Sequence, residues 1–399
     1  MTVLDELIQE LCPEGVAYKT LGEIATDIFR GAGITRDQVR ETGTPCVRYG
    51  EIYTTYGVWF EDCVSHTDET LLTSKKYFDY GDILFAITGE SVADIAKCCA
   101  YIGHETCLAG GDIVVLKHNE DPKYLSYALS TLDARKQKSK GKVKSKVVHS
   151  SVPDIKAIRV PVPPLPVQRE IVRILDNFTE LTAELTAELT ARKKQYEFYR
   201  DKLLTFGDVR VGVTSDVIRR TLGEVCKISA GGDAPKDSMS KQKTEKYSVP
   251  IISNGIGENA LYGYTDAPKV EEPAVTVAAR GTIGYAEYRD YPFYPIIRLL
   301  TAIPKDSTVV NTKYLYYCLQ GKQYSVPMGG IPQLTAPELK KVEIPIPSLD
   351  VQNRIVQVLD NFDAICTDLF SGLPAEIEAR QKQYEYYRDK LLTFKEKTS

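Results

Sequence analysis

The chain has 399 residues, of which 43% are hydrophobic and 26% are charged, so it is long enough to bury the cores of two or three globular domains. Its formal net charge of −4 argues against a protein that coats nucleic acid without sequence preference. No run of about 18 apolar residues occurs, which argues against a transmembrane helix.

The N-terminal segment and the cysteines predict the compartment. The segment MTVLDELIQELCPEG carries acidic residues where a secretory signal would carry basic ones. Nine cysteines, an odd number, fit reduced thiols better than a disulfide framework. We therefore expect a cytoplasmic protein without a membrane partner.

Residues 1–160 are predicted to form a first globular domain of mixed α and β structure. The glycine-bounded segments GDILFAITG (81–89) and GDIVVLKH (111–118) are typical of short strands, and PKYLSYALSTL (122–132) is typical of a helix. A zinc site has to be considered at the cluster Cys98, Cys99, His104 and Cys107. Neighbouring side chains of an extended segment point to opposite faces, however, which disfavours one shared ion.

Two stretches of this first domain are candidates for nucleic-acid contact. RKQKSKGKVKSK (135–146) has seven basic and no acidic residues. Phosphates could bind there, and a solvated loop is the alternative. VRYGEIYTTYG (47–57) could contact a base edge. The candidate residues are Arg48, Tyr49, Lys138, Lys140, Lys142 and Lys144.

Residues 161–206 are predicted to form a long helix with a coiled-coil seam. Apolar residues at 171, 174, 178, 181 and 185 are spaced by three and four, and the tandem TAELTAEL then adds a further step of four at Leu189. Such a stutter need not break the helix, and 168–206 would span about 58 Å. The predicted seam and partner interface contains Phe178, Leu181, Leu185, Leu189, Tyr196 and Tyr199.

Residues 207–345 are predicted to form a second mixed domain. EEPAVTVAARGTIGYAEY (271–288) is typical of strands and TKYLYYCLQ (312–320) of a helix. Loops such as SNGIGENALYGYT (253–265) and GKQYSVPMGGIPQL (321–334) combine tyrosine with amide and basic residues, which suits contact with bases and phosphates. The candidate residues are Asn254, Arg280, Tyr285 and Gln333.

Residues 346–399 repeat the long helix. VQREIVRILDNF (167–178) recurs as VQNRIVQVLDNF (351–362), and RKKQYEFYRDKLLTF (192–206) recurs as RQKQYEYYRDKLLTF (380–394). The GLP sequence at 372–374 predicts that this second copy is kinked or split. Its predicted seam and partner interface contains Phe362, Leu369, Tyr384 and Tyr387.

The order variable, shared, variable, shared indicates duplication of a whole module, because the period is far too long for a solenoid. The predicted fold is therefore α+β, with two globular domains, two long coiled-coil helices and an internal pseudo-two-fold repeat. Such a chain can hold two identical partners in equivalent positions, as a homodimer would.

The sequence contains no recognisable catalytic motif. A phosphate loop, HExxH, GxSxG, and the glycine-rich loop and NPPY-like tetrad of adenine methyltransferases do not occur. The chain has four histidines, and none lies in a recognisable nucleophile motif. We expect neither a bound metal nor a cofactor.

The paired VQxxIVxxLDNF and RxKQYE(F/Y)YRDKLLTF blocks, the (V/I)PxPxL segments before them and the TAEL tandem resemble the specificity subunits of type I restriction and modification systems. The resemblance covers essentially the whole chain and includes the subfamily with TAEL spacer repeats. It implies two target-recognition domains, each reading half of a split site in double-stranded DNA, and two antiparallel helices between them.

The resemblance also implies a non-catalytic chain. Two methyltransferase subunits would bind around the helices, and motor-nuclease subunits would join them for cleavage. S-adenosylmethionine, ATP and Mg²⁺ would be bound only by these partners. Two alternatives stay open: a stand-alone methyltransferase with divergent motifs, and a coiled-coil adaptor that does not bind DNA.

Overall fold

The chain folds into two compact units. A computed structural model describes residues 2–92, 94–138, 142–144, 147–206, 217–324, 332–368 and 371–397. Unit 1 contains Met1–Thr186 and Glu376–Ser399, and unit 2 contains Ala187–Ala375. Each unit mixes helices with sheets, which confirms the predicted α+β class. The boundaries at 160, 206 and 345 stay a prediction, since each unit draws on three of the four predicted segments.

Unit 1 is built on two sheets. The main sheet has the strand order β2-β12-β8-β10-β5, and the second sheet has the order β3-β6-β4-β11-β7. Two smaller sheets have the orders β13-β14-β9 and β1-β15. The strands are β1 (Tyr18–Thr20), β2 (Ala25–Arg30), β3 (Val39–Arg40), β4 (Thr44–Val47), β5 (Trp59–Phe60), β6 (Ser65–Thr67), β7 (Tyr77–Phe78), β8 (Ile83–Ala86), β9 (Thr88–Gly89), β10 (Cys98–Tyr101), β11 (Cys107–Ala109), β12 (Ile113–His118), β13 (Lys142–Lys144), β14 (Val147–His149) and β15 (Arg159–Pro161).

The main sheet of unit 1 is buried on both faces. Phe85 and Val114 belong to a core cluster that contains residues of the helices 122–130 and 165–205. Leu84 and Val115, which point to the other face, belong to a second cluster that contains residues of the second sheet. This alternation follows from the period of two residues in a strand. It explains why β8 and β12 appear in the sequence as continuous apolar runs.

Unit 2 repeats this plan with fewer strands. Its main sheet has the order β17-β24-β21-β22, its second sheet β18-β20-β19-β23, and its small sheet β16-β25. The strands are β16 (Ile218–Thr221), β17 (Cys226–Ala230), β18 (Met239–Ser240), β19 (Val249–Ile252), β20 (Leu261–Thr265), β21 (Ala274–Val277), β22 (Ala286–Arg289), β23 (Tyr294–Pro295), β24 (Leu300–Pro304) and β25 (Glu343–Ile346).

The helices confirm the duplicated pattern. The first long helix begins at Leu165, within the predicted segment 161–206, and runs without interruption through the TAEL tandem. Its second copy is split at the GLP sequence, as predicted. The helices are α1 (Val3–Leu11), α2 (Leu21–Ile24), α3 (Tyr49–Thr54), α4 (Pro122–Ser130), α5 (Leu132–Lys138), α6 (Val152–Lys156), α7 (Leu165–Thr205), α8 (Leu222–Val225), α9 (Thr312–Leu319), α10 (Ala336–Lys340), α11 (Leu349–Thr367) and α12 (Leu373–Leu391).

A buried glutamine fixes the start of each long helix. Gln168 of α7 accepts a hydrogen bond from the backbone N–H of Asp121 at 2.9 Å and donates to a proline carbonyl five residues upstream at 2.8 Å. Gln352 of α11 repeats both bonds, with the N–H of Asn311 at 2.9 Å. Both glutamines are fully buried, so these bonds satisfy amides that would otherwise be costly to bury.

The shared LDNF sequence supplies a second fixed contact. The hydroxyl of Tyr127 on α4 donates to Asp176 of α7 at 2.7 Å, and Tyr317 on α9 donates to Asp360 of α11 in the same way. The KYLxYxL and LDNF repeats are therefore two sides of one contact, made once in each unit.

Each unit also packs the second half of a shared helix. In unit 1, Tyr384 of α12 is buried, with its ring centroid 6.4 Å from that of Tyr127. In unit 2, Tyr196 of α7 is buried in a cluster with Tyr317, and its hydroxyl donates to Gln320 at 2.6 Å. The first tyrosines of the YEFYRDKLL and YEYYRDKLL repeats thus pack near equivalent tyrosines of α9 and α4.

Each unit has one stacked aromatic pair among the predicted seam residues. In unit 1, Phe178 stacks on Tyr387 with centroids 5.5 Å apart. In unit 2, Tyr199 stacks on Phe362 at 5.9 Å.

The TAEL part of the predicted seam is more open to solvent. Leu181 is 36% exposed, and Leu185 and Leu189 are half-buried. The predicted seam residue Leu369 lies outside the described residues. Among the helices that the structure describes, none is long and apolar enough to span a membrane.

Candidate nucleic-acid interface

One end of the main sheet in unit 1 gathers several polar side chains. β2 ends at Arg30, β8 ends at Ala86, and β12 begins at Ile113, and these ends are adjacent because β12 runs antiparallel to both neighbours. His149 joins them because β14 pairs with β9, so that His149 lies opposite Thr88. Arg48 follows β4 at the same end, where the carbonyl of Val47 accepts the N–H of Gly110 at 2.8 Å. We call these side chains the loop end of unit 1: Arg30, Arg48, Thr88, Asp112 and His149.

The arginines at this loop end are paired with carboxylates. Nε of Arg48 lies 3.1 Å from Glu51, which is buried and also accepts a hydrogen bond from Ser65. Arg30 forms an ion pair with Asp112 and donates to the carbonyl of Gly111 at 2.6 Å. These contacts fix the two guanidinium groups and cancel much of their charge.

Unit 2 has an equivalent loop end. β17 ends at Ala230, β21 ends at Val277, and β24 begins at Leu300, again with β24 antiparallel to both neighbours. The loop end of unit 2 consists of Asn254, Arg280, Ile297, Arg298 and Gln333. Three of the four residues predicted in this domain therefore meet at one place.

Arg280 and Arg298 converge on Gln333 at this end. Nε and Nη2 of Arg280 donate to Oε1 of Gln333 at 3.0 and 2.6 Å, and Nη1 of Arg298 lies 3.5 Å from the same oxygen. Within the described residues, neither guanidinium forms an ion pair with a carboxylate. The loop end of unit 2 is therefore more positive than that of unit 1.

Asn254 connects two loops of unit 2. Its Oδ1 accepts the N–H of Ala279 at 2.7 Å, and its Nδ2 donates to the carbonyl of Ile297 at 2.6 Å. The amide that we expected to contact a base thus holds the turn 296–299 against the end of β21. It has a positioning role in this structure.

The same turn is strained. Ile297 and Arg298 have φ angles of 52° and 60°, in the left-handed region that a β-branched residue rarely adopts. Their N–H groups donate to Gly232 and Gly231 at 2.9 and 3.0 Å, which fixes the turn. Strain of this kind is common at functional sites, because the surrounding structure has to maintain it.

The two predicted tyrosines differ in exposure. Tyr49 opens α3 beside Arg48 and is 40% exposed. Tyr285 is half-buried, and burial raises its pKa, so that it remains a neutral hydroxyl. Tyr49 is therefore more accessible to a ligand than Tyr285.

The structure corrects the prediction for one lysine of the basic stretch. Lys138 is not on an exposed loop: it ends α5, is 8% exposed, and its ammonium nitrogen lies 3.3 Å from the Cys98 sulfur. The helix continues into the basic stretch, and the long side chain folds back against Phe85. Lys140 and the side chains of Lys142 and Lys144 lie outside the described part of the chain.

Two exposed basic residues at equivalent positions were not among the predicted DNA-binding residues. Arg36 and Lys236 each begin a single 3-10 turn after β2 and β17, and both are exposed. A comparison of GAGITRD (31–37) with GGDAPKD (231–237) would have found them, because glycine, cation and aspartate recur at identical spacing. Exposed cations at equivalent positions suit phosphate contact in both units.

The cysteine cluster has the predicted strand geometry. Cys98 and Cys99 lie on β10 and belong to different core clusters, one on each face of the main sheet. Among the described residues, no group of three or more histidine, cysteine or acidic side chains could hold a metal ion.

The two loop ends therefore have one backbone plan and different side chains. The family described as "Type I restriction modification DNA specificity domain" matches residues 13–192 and 214–379, once in each half of the chain. The chain belongs to this family. Its members are the non-catalytic components that give type I restriction-modification systems their specificity, which excludes the stand-alone methyltransferase.

Curated relatives agree with this assignment. A Mycoplasma pneumoniae protein named as a type I specificity subunit is 30% identical over 374 residues, which cover 92% of this chain and 94% of the relative. The specificity subunit of the type I restriction enzyme EcoR124I/EcoR124II from Escherichia coli is 33% identical over 300 residues, which cover 68% of this chain and 70% of the relative.

Solved structures share the fold. One, from a study of complex assembly and conformational transition of the type I restriction-modification system, superposes with a TM-score of 0.65 at 19% identity, covering 95% of this chain and 97% of that chain. The S subunit from M. genitalium superposes with a TM-score of 0.54 at 14% identity, covering 95% of this chain and 96% of that chain.

Proposed function

We propose that this chain reads a bipartite site in double-stranded DNA, one half through the loop end of each unit. The observation that carries the proposal is the repetition of one loop-end backbone with different side chains. Because the two loop ends differ in charge and in hydrogen-bonding groups, the two half-sites should differ in sequence. Arg36 and Lys236 would contact phosphates, which position a protein without specifying bases.

The shared helices would carry the methyltransferase partners. Phe198 of α7 and Tyr386 of α12 occupy equivalent positions and are 60% and 62% exposed. Each stacks edge-to-face on the next aromatic residue, at 5.4 and 5.3 Å. Large exposed aromatic side chains are typical of interface centres. Two equivalent patches on one chain suit two copies of the same partner.

The remaining subunits and cofactors are proposed from the family resemblance. Motor-nuclease subunits would join the complex for cleavage, and S-adenosylmethionine, ATP and Mg²⁺ would bind to the partners. The complex would act in the cytoplasm, where the cell's DNA lies.

The test is co-expression of the chain with its methyltransferase subunit, followed by a methylome of the host and by gel shifts of the purified complex at several salt concentrations. We expect one split recognition sequence and a sequence-selective, salt-dependent shift. Methyl transfer by the chain alone, or a complex that binds every duplex equally, would contradict the proposal.

A further inference from the structure

The backbone hydrogen bonds align the two loop ends residue by residue. The N–H of Ser150 donates to the carbonyl of Ile87, and the N–H of Leu334 donates to that of Ala279, each at 2.9 Å. Residue 87 is thus equivalent to 279, and residue 150 to 334. Residue 88 is therefore equivalent to residue 280, and residue 149 is equivalent to residue 333.

Neighbouring bonds give the same alignment. The N–H of Ala86 donates to the carbonyl of Lys97 at 2.9 Å, and the N–H of Ala278 donates to that of Tyr285 at 2.9 Å. Ala96 and Gly284, which precede these acceptors, both have positive φ angles, of 58° and 86°. The two units therefore also align at the residues that follow this loop. The loop itself is four residues longer in unit 1 (87–96) than in unit 2 (279–284).

The aligned positions hold a contacting side-chain pair in each unit. In unit 1, Oγ1 of Thr88 lies 3.3 Å from Nδ1 of His149. In unit 2, Arg280 donates twice to Gln333. The first residue of each pair is half-buried. Of the second residues, His149 is exposed and Gln333 is half-buried. The two pairs share their place in the fold and differ completely in chemistry.

The pair in unit 2 is arranged to present a guanidinium edge. The Gln333 oxygen engages Nε and Nη2 of Arg280, which restricts rotation of the planar group. Arginine pairs with guanine by donating two hydrogen bonds to O6 and N7, and holding the fork in place beforehand reduces the ordering cost. Arg298, also near the Gln333 oxygen, adds positive charge beside it.

We propose that these equivalent pairs are the specificity-determining positions of the two half-sites. Arg280, held by Gln333, reads a guanine in the half-site of unit 2. Thr88 and His149 read the equivalent base of the other half-site, through shorter side chains with fewer donors. This inference rests on the proposed DNA-reading function and assigns it to named residues.

The experiment uses the complex of the full chain with its methyltransferase subunit and a library of duplexes that vary one base pair at a time. Arg280→Lys keeps the charge and loses the planar fork. We expect it to lower the preference for guanine at one position of one half-site by about 5- to 150-fold, and to leave the other half-site unchanged. Thr88→Val with His149→Ala should change one position of the other half-site only.

The role of Gln333 is tested by its own pair of variants. Gln333→Ala should weaken the same guanine preference without lowering the thermal stability of the complex, whereas Gln333→Glu keeps an acceptor and should preserve the preference. Arg220→Ala, an exposed arginine on β16, is the matched control and should change neither half-site.

Two results separate the inference from the function on which it rests. If an Arg280→Ala complex, which has no side-chain donor at this position, keeps every base preference, these positions do not determine specificity, although the DNA-reading function stands. If the unmodified complex shows no base preference, the DNA-reading function itself fails.

Discussion

The ammonium nitrogen of Lys123 lies 2.8 Å from Oδ2 of Asp176, with 23% and 17% of the two side chains exposed. The contact ties α4 to the long helix α7 within unit 1. Replacement of Asp176 by Asn removes the charge from a partly buried pair, and we expect the free energy of unfolding to fall by about 1 to 2 kcal/mol. Urea denaturation followed by circular dichroism measures this loss.

The equivalent pair in unit 2 provides the control. Lys313 and Asp360 are also 2.8 Å apart, but 37% and 34% of their side chains are exposed. Solvent screens the more exposed pair better, so Asp360→Asn should cost less than about 1 kcal/mol. Equal losses in the two variants would show that burial does not set the strength of these pairs.

Gly31 is predicted to tolerate no side chain. A Cβ atom there would lie 2.1 Å from the carbonyl oxygen of Gly110, whereas a Cβ atom at Gly33 would have no neighbour within 4 Å. Gly31→Ala should therefore lower the free energy of unfolding by more than about 2 kcal/mol, and Gly33→Ala should change it by less than about 0.5 kcal/mol. Thermal unfolding of both variants checks the contrast, and a harmless Gly31→Ala would refute the close backbone approach.

The repeated blocks could be predicted from the sequence because their contacts use the same residues in both copies. Gln168 and Gln352 make the same two bonds, and identical chemistry leaves an identical sequence. The loop ends could not be predicted in this way. Thr88 and Arg280 share no chemistry, and only the backbone hydrogen bonds show that they are equivalent.

Lys138 illustrates a second limit. Its charge predicted an exposed phosphate ligand, but the flexible stem of a lysine can lie along apolar surface when a helix aims it inward. That direction depends on how α5 packs, which no local pattern of charge contains. Tertiary contacts decided the position of this side chain.

His118 is predicted to make the stability of unit 1 depend on pH. Burial lowers its pKa to about 4, and its Nδ1 accepts the N–H of Glu120 at 3.1 Å, which requires the unprotonated nitrogen. The unfolded chain takes up this proton first, near pH 6.5. The free energy of unfolding should therefore fall by up to about 3 kcal/mol as the pH decreases from about 6.5 to about 4.

His118→Gln isolates this effect, because glutamine can accept the same N–H without titrating. Melting temperatures of both proteins across pH 7 to 4 give the comparison. The stability difference between them should shift in favour of the variant as the pH falls. Parallel curves would mean that other groups cause the acid sensitivity.

The exposed aromatic patches on the shared helices predict partner stoichiometry. Phe198→Ser and Tyr386→Ser should each reduce the number of bound methyltransferase subunits from two to one, because each removes one apolar interface centre. Native mass spectrometry of the complex counts the subunits. Glu197→Ala, an exposed neighbour of Phe198, should leave both bound, and a full complement in the serine variants would contradict the assignment.

The TAEL tandem is predicted to set the unread gap between the half-sites. Thr186 to Leu189 lie within the uninterrupted helix α7, so deleting these four residues shortens it by about 6 Å and rotates the following part by about 40° beyond a full turn. At about 3.4 Å per base pair, the gap should shorten by one or two base pairs. The bases of both half-sites should not change, because neither loop end is altered.

A methylome of a host that expresses the deletion variant with its methyltransferase measures the gap and both half-sites together. Thr186→Ala is the matched control: it changes the tandem without changing the length of the helix, so its gap should equal that of the unmodified chain. If this substitution alters the gap, side-chain contacts of the tandem, and not helix length, determine the spacing. If the deletion changes the recognised bases, the helix also affects the loop ends, and reading and spacing are not independent.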